Sequence, residues 1–103
     1  ICMPVISIKK MEKACEEVCV ILKALSHPQR LLVMGHLLEG PKTVTDLVDA
    51  CGVSQSQMSH FLMRMSAEGL VNSEKRGKFK YYSVVDERLV SLMKAIQNHY
   101  CRH

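Results

Sequence analysis

Tryptophan is absent from this 103-residue chain and only five aromatic rings are present, so its core has to be aliphatic and sulfur-rich. No apolar run approaches the length of about 18 residues that a membrane-spanning helix requires. No secretory leader is visible, and the opening "ICMPVIS" reads as an incomplete or trimmed start, so a cytoplasmic chain with no membrane partner is expected. The five cysteines (2, 15, 19, 51, 101) are an odd number, which argues against a disulfide framework in a reducing compartment. None of them forms a C-x-x-C pair, which argues against a zinc ribbon or a thioredoxin-type site. Paired catalytic carboxylates and a nucleophile-elbow glycine pattern are missing as well. The chain does not read as an enzyme, and neither a cofactor nor a metal site is expected.

What is there suits one domain spanning residues 1–103, with a modest core that invites further burial between subunits. The net charge of +4 is unevenly placed. Residues 1–49 carry six basic and six acidic groups, whereas residues 50–85 carry Arg64, Lys75, Arg76, Lys78 and Lys80 against Glu68 and Glu74. A positive excess confined to one third of a chain fits a surface that meets a polyanion.

Periodicity and punctuation divide the chain into helices. From Lys9 to Leu25, Met11, Ala14, Cys15, Val18, Ile21, Leu22 and Leu25 recur at helical spacing and predict an amphipathic helix. A second helix starts at Pro28 and stops before Gly40-Pro41. A third begins after a Thr43 cap with Asp46 three residues on, and stops at Gly52. Ser54 and Gln57 form a predicted capping box for a fourth, which Gly69 ends. "NSEKRGKFKYYSVV" then reads as a β-hairpin turning at Gly77. A last helix follows an Asp86 cap and keeps Leu89, Leu92, Met93, Ile96 and Tyr100 on one side. Only "CGVS" joins the third and fourth helices, the short turn of a helix-turn-helix. The fold expected is α+β and mostly α: a winged helix-turn-helix of five helices with a hairpin as the wing.

On a helical wheel, Met58, Phe61, Leu62 and Met65 gather toward the core. Ser54, Gln55, Ser56, Gln57, Ser59 and His60 crowd the first two turns, and Arg64 follows on the polar side with Met63. A helix-turn-helix offers that end of its second helix to the major groove. Glutamine grips adenine with two hydrogen bonds, serine serves base or phosphate, and a helix start attracts phosphate. The wing "KRGKFK" sets Lys75, Arg76, Lys78 and Lys80 around a turn, where they suit phosphates or the minor groove and supply affinity rather than sequence reading. Phe79 and Tyr81 alternate with these lysines, so the rings are expected to face the core and not to stack on bases. A competing possibility is a winged-helix module that docks on protein.

The pieces "ALSHPQRL", "SQSQMSHFL", "GLV" and the G-x-x-x-YYS pattern of "GKFKYYS" together resemble the ArsR/SmtB family of bacterial winged-helix repressors, over roughly three quarters of the chain from residue 22 onward. The resemblance implies a homodimer joined by the first and last helices, an inverted-repeat DNA operator, and release by a small inducer. Sensor residues carry over poorly. The family's third-helix C-x-C metal box falls on Thr43 and Thr45. Its last-helix metal residues fall on Asp86 and His99, but their partners fall on Arg88 and Arg102, which do not ligate cations. The persulfide-sensing subgroup's last-helix cysteine matches Cys101, whereas its second-helix partner falls on Gly35. Cys15, Cys19 and Cys101 remain as candidate sensor thiols for a reactive-sulfur or oxidant inducer, if the first and last helices pack together. The alternatives are a thiophilic metal or arsenite site with His99 or His103, or, for Cys15, Cys19 and Cys51, a place as small core residues.

Overall fold

The computed structural model describes residues 7–101; Cys2, the rest of the first six residues, Arg102 and His103 lie outside the described residues. Five helices and one hairpin follow in the expected order: α1 (Ile8–Leu25), α2 (Pro28–Leu37), α3 (Val44–Cys51), α4 (Gln55–Ala67), β1 (Val71–Arg76), β2 (Phe79–Val84) and α5 (Glu87–Tyr100). Local chemistry sets most boundaries. Pro28 opens α2 behind His27, whose Nδ1 accepts from the Gln29 amide at 3.2 Å. At α3 both halves of a capping box form, Thr43 Oγ1 accepting from Asp46 N and Asp46 Oδ2 from Thr43 N, each at 3.1 Å. Gly52 then turns the chain with φ of 73°, a left-handed conformation that side chains with a Cβ rarely adopt.

The strands pair antiparallel from Val71 opposite Val84 to Arg76 opposite Phe79, with Gly77-Lys78 as the turn. Lys42 adds one rung beyond the hairpin: its N–H donates to Tyr82 O at 3.0 Å, and its carbonyl accepts from Tyr82 N at 2.8 Å. That rung ties the α2–α3 connection to the wing.

The core is aliphatic and sulfur-rich. Val33, Met34 and Leu37 of α2, Leu47 of α3, Met58, Phe61, Leu62 and Met65 of α4, and Leu89 and Met93 of α5 are buried, and Val53, Leu70 and Val71 close it. The expected apolar face of α4 is therefore the observed one. The first helix behaves differently: only Ala24 and Leu25 of α1 are buried, while Met11 and Leu22 of the expected stripe stand exposed, as do Ile8 and Val20. Tyr100, expected on the inner side of α5, is 83% exposed. The radius of gyration is 15.5 Å, above the roughly 13 Å of a compact domain of this size, with extents of 55 × 33 × 21 Å. Among the described residues no helix is long and apolar enough to cross a membrane.

Candidate nucleic-acid interface

The helix-turn-helix is assembled by α3, the left-handed Gly52, buried Val53 and α4. Val53 inserts into the core, so the turn is anchored and Ser54 is left outside as the cap of α4. Ser54 Oγ accepts from Gln57 N at 3.1 Å. The reciprocal half of the expected box does not form. Gln57 instead aims its Nε2 at Gln29 Oε1, 3.5 Å away on α2, because the N-terminus of α2 stands beside that of α4. Sequence spacing pointed to a partner three residues away; the actual one is 28 residues distant.

Gln55, Ser56, Gln57, Ser59, His60 and Arg64 are all exposed, while Met58, Phe61, Leu62 and Met65 on the opposite side are buried. Met63, also on the outer side, is 66% exposed. The first turn of α4 contains no acidic residue, so nothing in it opposes the partial positive charge of the helix start. Behind α4, the Phe61 ring is gripped by the His27 ring, with centroids 5.6 Å apart, and by the Arg30 guanidinium at 5.9 Å. Both come from the α2 start, so the "SHPQR" segment braces the back of the exposed helix.

The wing holds Lys75, Arg76, Lys78 and Lys80 on exposed backbone. Arg76 Nε donates to Glu74 Oε1 at 2.7 Å, and its guanidinium lies 5.3 Å over the Tyr81 ring. Lys80 places its ammonium 5.7 Å over Tyr82. Lys75 and Lys78 make no ion pair among the described residues.

One expectation for the wing is overturned. Phe79 and Tyr81 do not face the core: Phe79 is 58% exposed and Tyr81 only half-buried. The inward residues of β2 are Tyr82 and Val84, which pack against the core from the face shared with Val71. Apolar residues occupy both faces of β2, so alternation alone does not choose between them. The burial of Val71, which pairs with Val84, marks the inner face.

Cys15 and Cys19 on α1 and Cys101 at the end of α5 are free and exposed, so none of the three is a core residue within the protomer. Cys51 is half-buried, and burial pushes its thiol above the ordinary value. Cys101 and Gly35 line one cavity of about 720 Å³ between α2 and α5, with Leu31, Leu38, Met93 and Ile96 as apolar walls. No heavy atom stands within 4 Å of where a side chain at Gly35 would begin, so the space beside Gly35 is open.

The last-helix metal residues suggested by resemblance do not fit a cation. Asp86 caps α5 by accepting from Arg88 N at 2.9 Å, and its carboxylate takes the Arg88 guanidinium at 3.1 and 2.8 Å. That guanidinium holds the carboxyl down to about 2. Arg88 also donates to Glu17 Oε1 of α1 at 2.7 Å, so an internal cation fills the position and ties α5 to α1. Among the described residues, no three His, Cys, Asp or Glu side chains gather to hold a metal.

Comparison with known proteins agrees with this geometry. The model of the bacterial regulatory proteins of the arsR family matches residues 27–73, which run from the cap of α2 into β1. The HTH-type transcriptional regulator YgaV of Escherichia coli is 33% identical over 89% of this chain and 94% of its own length. The crystal structure of the transcriptional repressor BigR from Xylella fastidiosa superposes with a TM-score of 0.88 at 30% identity, over 95% of this chain and all of that one. Reduced HlyU from Vibrio cholerae superposes with a TM-score of 0.84 at 28% identity, over 91% of this chain and 99% of that one.

Proposed function

This chain belongs to the arsR family of bacterial regulatory proteins, and from that premise we propose how its residues divide the work of a regulator. It is a DNA-binding transcriptional repressor of the winged helix-turn-helix type, not an enzyme. In our reading residues 1–103 act as one cytoplasmic DNA-binding domain. Gln55, Ser56, Gln57, Ser59 and His60 read base edges in the major groove, with Ser54 and Arg64 beside them. Lys75, Arg76, Lys78 and Lys80 hold phosphates or the minor groove. The observation that carries this division is the two-sidedness of α4. Its inner face is wholly buried, and its outer face presents amide, hydroxyl and imidazole groups that the protomer leaves to solvent.

The same reading makes the chain a homodimer joined through α1 and α5, on an operator with inverted-repeat symmetry. Uncovered Ile8, Met11 and Leu22 on α1 and Tyr100 on α5 support it, since apolar surface of this kind is what a subunit interface removes from water. Release from DNA is assigned to a thiol-directed inducer, a reactive sulfur species or oxidant, acting at Cys15, Cys19 or Cys101. Their placement on α1 and just after α5, outside the protomer's core, supports that role, and one solved relative is described as the reduced form of HlyU.

The test is a titration of duplex DNA with the protein under reducing, disulfide and polysulfide conditions, and with Zn(II) or As(III), followed by mass spectrometry of the three thiols. Weaker DNA binding together with a sulfur adduct or bridge supports the assignment. Loss driven only by As(III) or Zn(II) moves the inducer to a thiophilic metal class. No response to any of them makes the thiols structural.

A further inference from the structure

Phe79 has no place in the division of labour above, yet it stands at the most cationic point of the chain. Its ring follows the Gly77-Lys78 turn, directly across the hairpin from Arg76 and between Lys78 and Lys80. Of the three rings on β2, Tyr81 lies under the Arg76 guanidinium and Tyr82 under the Lys80 ammonium while packing on the core. Phe79 has neither a cation over its face nor a place in the core, and at 58% exposure it leaves most of its apolar surface in water. A hairpin of six-residue strands extends roughly 20 Å, and every residue from Glu74 to Lys80 is exposed, so this tip projects clear of the body. Its natural occupant combines negative charge with apolar surface at close range. The minor groove of a duplex does so, with phosphates along its rims and deoxyribose walls between them. Continuity favours the same partner as α4, because β1 follows that helix after only three residues, Glu68 to Leu70.

We propose that Phe79 enters the minor groove beside the α4 contact and packs against its sugar walls, giving the wing a salt-independent share of the binding energy while Lys75, Arg76, Lys78 and Lys80 take the phosphates. This rests on the DNA reading of α4 and adds an apolar contact to it. Counterion release scales with phosphate contacts, not with apolar burial. Removing the ring therefore lowers affinity at every salt concentration by a similar factor.

The experiment compares wild type, Phe79→Ala, Phe79→Leu and Lys78→Ala by fluorescence anisotropy across a salt series, on a duplex selected from a random library by the wild-type protein. Partial burial of one phenyl ring predicts that Phe79→Ala binds about three- to tenfold more weakly, with a salt slope parallel to wild type, and that Phe79→Leu keeps most of the affinity. Lys78→Ala should instead flatten the slope. Prior occupancy of the minor groove by netropsin should bring wild type down to the level of Phe79→Ala and leave that variant little changed. Equal affinity of wild type and Phe79→Ala, or a slope that flattens when the ring is removed, overturns the proposal. So does a lowered melting temperature for both Phe79 variants, which assigns the ring to the protein's own packing. If wild type selects and retains no duplex, the α4 reading fails together with this one, an outcome distinct from equal binding by wild type and variant.

Discussion

α1 and α4 are both amphipathic helices, 18 and 13 residues long, and their apolar faces meet different fates. On α4, Met58, Phe61, Leu62 and Met65 are all buried against neighbours from the same protomer. On α1, only the last two residues are buried, Ala14, Val18 and Ile21 are half-buried, and Met11 and Leu22 of the same stripe stand exposed. Periodicity is equally clear in the two. It states that a face needs cover without saying which molecule supplies it. On α4 the cover is the chain's own core, which frees the other side for a ligand. On α1 it is assigned here to a second copy.

Paired substitutions separate the two cases most strongly. Leu62→Ala removes a fully buried side chain and should cost about 2–5 kcal/mol of stability, which for a domain of this size lowers the melting temperature by at least about 8 °C. Leu22→Ala touches a residue that is half exposed and should act on association, raising the dimer dissociation constant by roughly tenfold in sedimentation at graded concentrations. A Leu22→Ala protein that dimerises normally and melts as early as Leu62→Ala would break the comparison, because α1 would then be covered within its own protomer.

Thiol labelling sharpens it. Cys51 lies on the self-contained side, half-buried with its thiol pushed up, so near neutral pH it should be the last of the four described cysteines to be alkylated in dilute protein. Cys15 and Cys19 on α1 should react readily when dilute and slow as concentration drives association. Peptide mass spectrometry after timed alkylation reads both effects. Rates independent of concentration would remove these thiols from any interface.

The smallest effect concerns the tie between the chain's two ends. Asp86 in the folded protein titrates near 2, below its ordinary value of 3.8, chiefly because its side chain accepts from Arg88. A depressed folded value means that the stability it contributes is present above about pH 4 and is lost as pH falls toward 2. Arg88→Ala should therefore flatten the acid limb of the stability profile slightly, since the Arg88 and Glu17 side chains are exposed and water screens them, while Asp86 is only half-buried. An unchanged acid limb would place the tie outside the folding equilibrium.

The legibility of the chain follows the range of the interactions. Helix starts were readable because their causes are local: Thr43 with Asp46, Ser54 with the Gln57 amide, and Asp86 with the Arg88 amide sit within three residues of one another. The polar and apolar sides of α4 were readable for the same reason. The inner face of the wing was not, because β2 carries apolar residues on both sides and the core that takes Tyr82 and Val84 is built largely from helices distant in sequence. The contact of Gln57 with Gln29 and the cavity shared by Gly35 and Cys101 were hidden in the same way, since each is made by helices distant in sequence.

The most direct test of the central claim compares Gln57→Ala with Lys78→Ala in selection from random duplexes and in binding across a salt series. If the outer side of α4 reads bases while the wing holds backbone, Gln57→Ala should lose about 1–3 kcal/mol of specific binding and relax the selected sequence at one position. Lys78→Ala should weaken all duplexes alike and reduce the salt slope by about one. Two variants with the same selected sequence and the same slope would contradict the account.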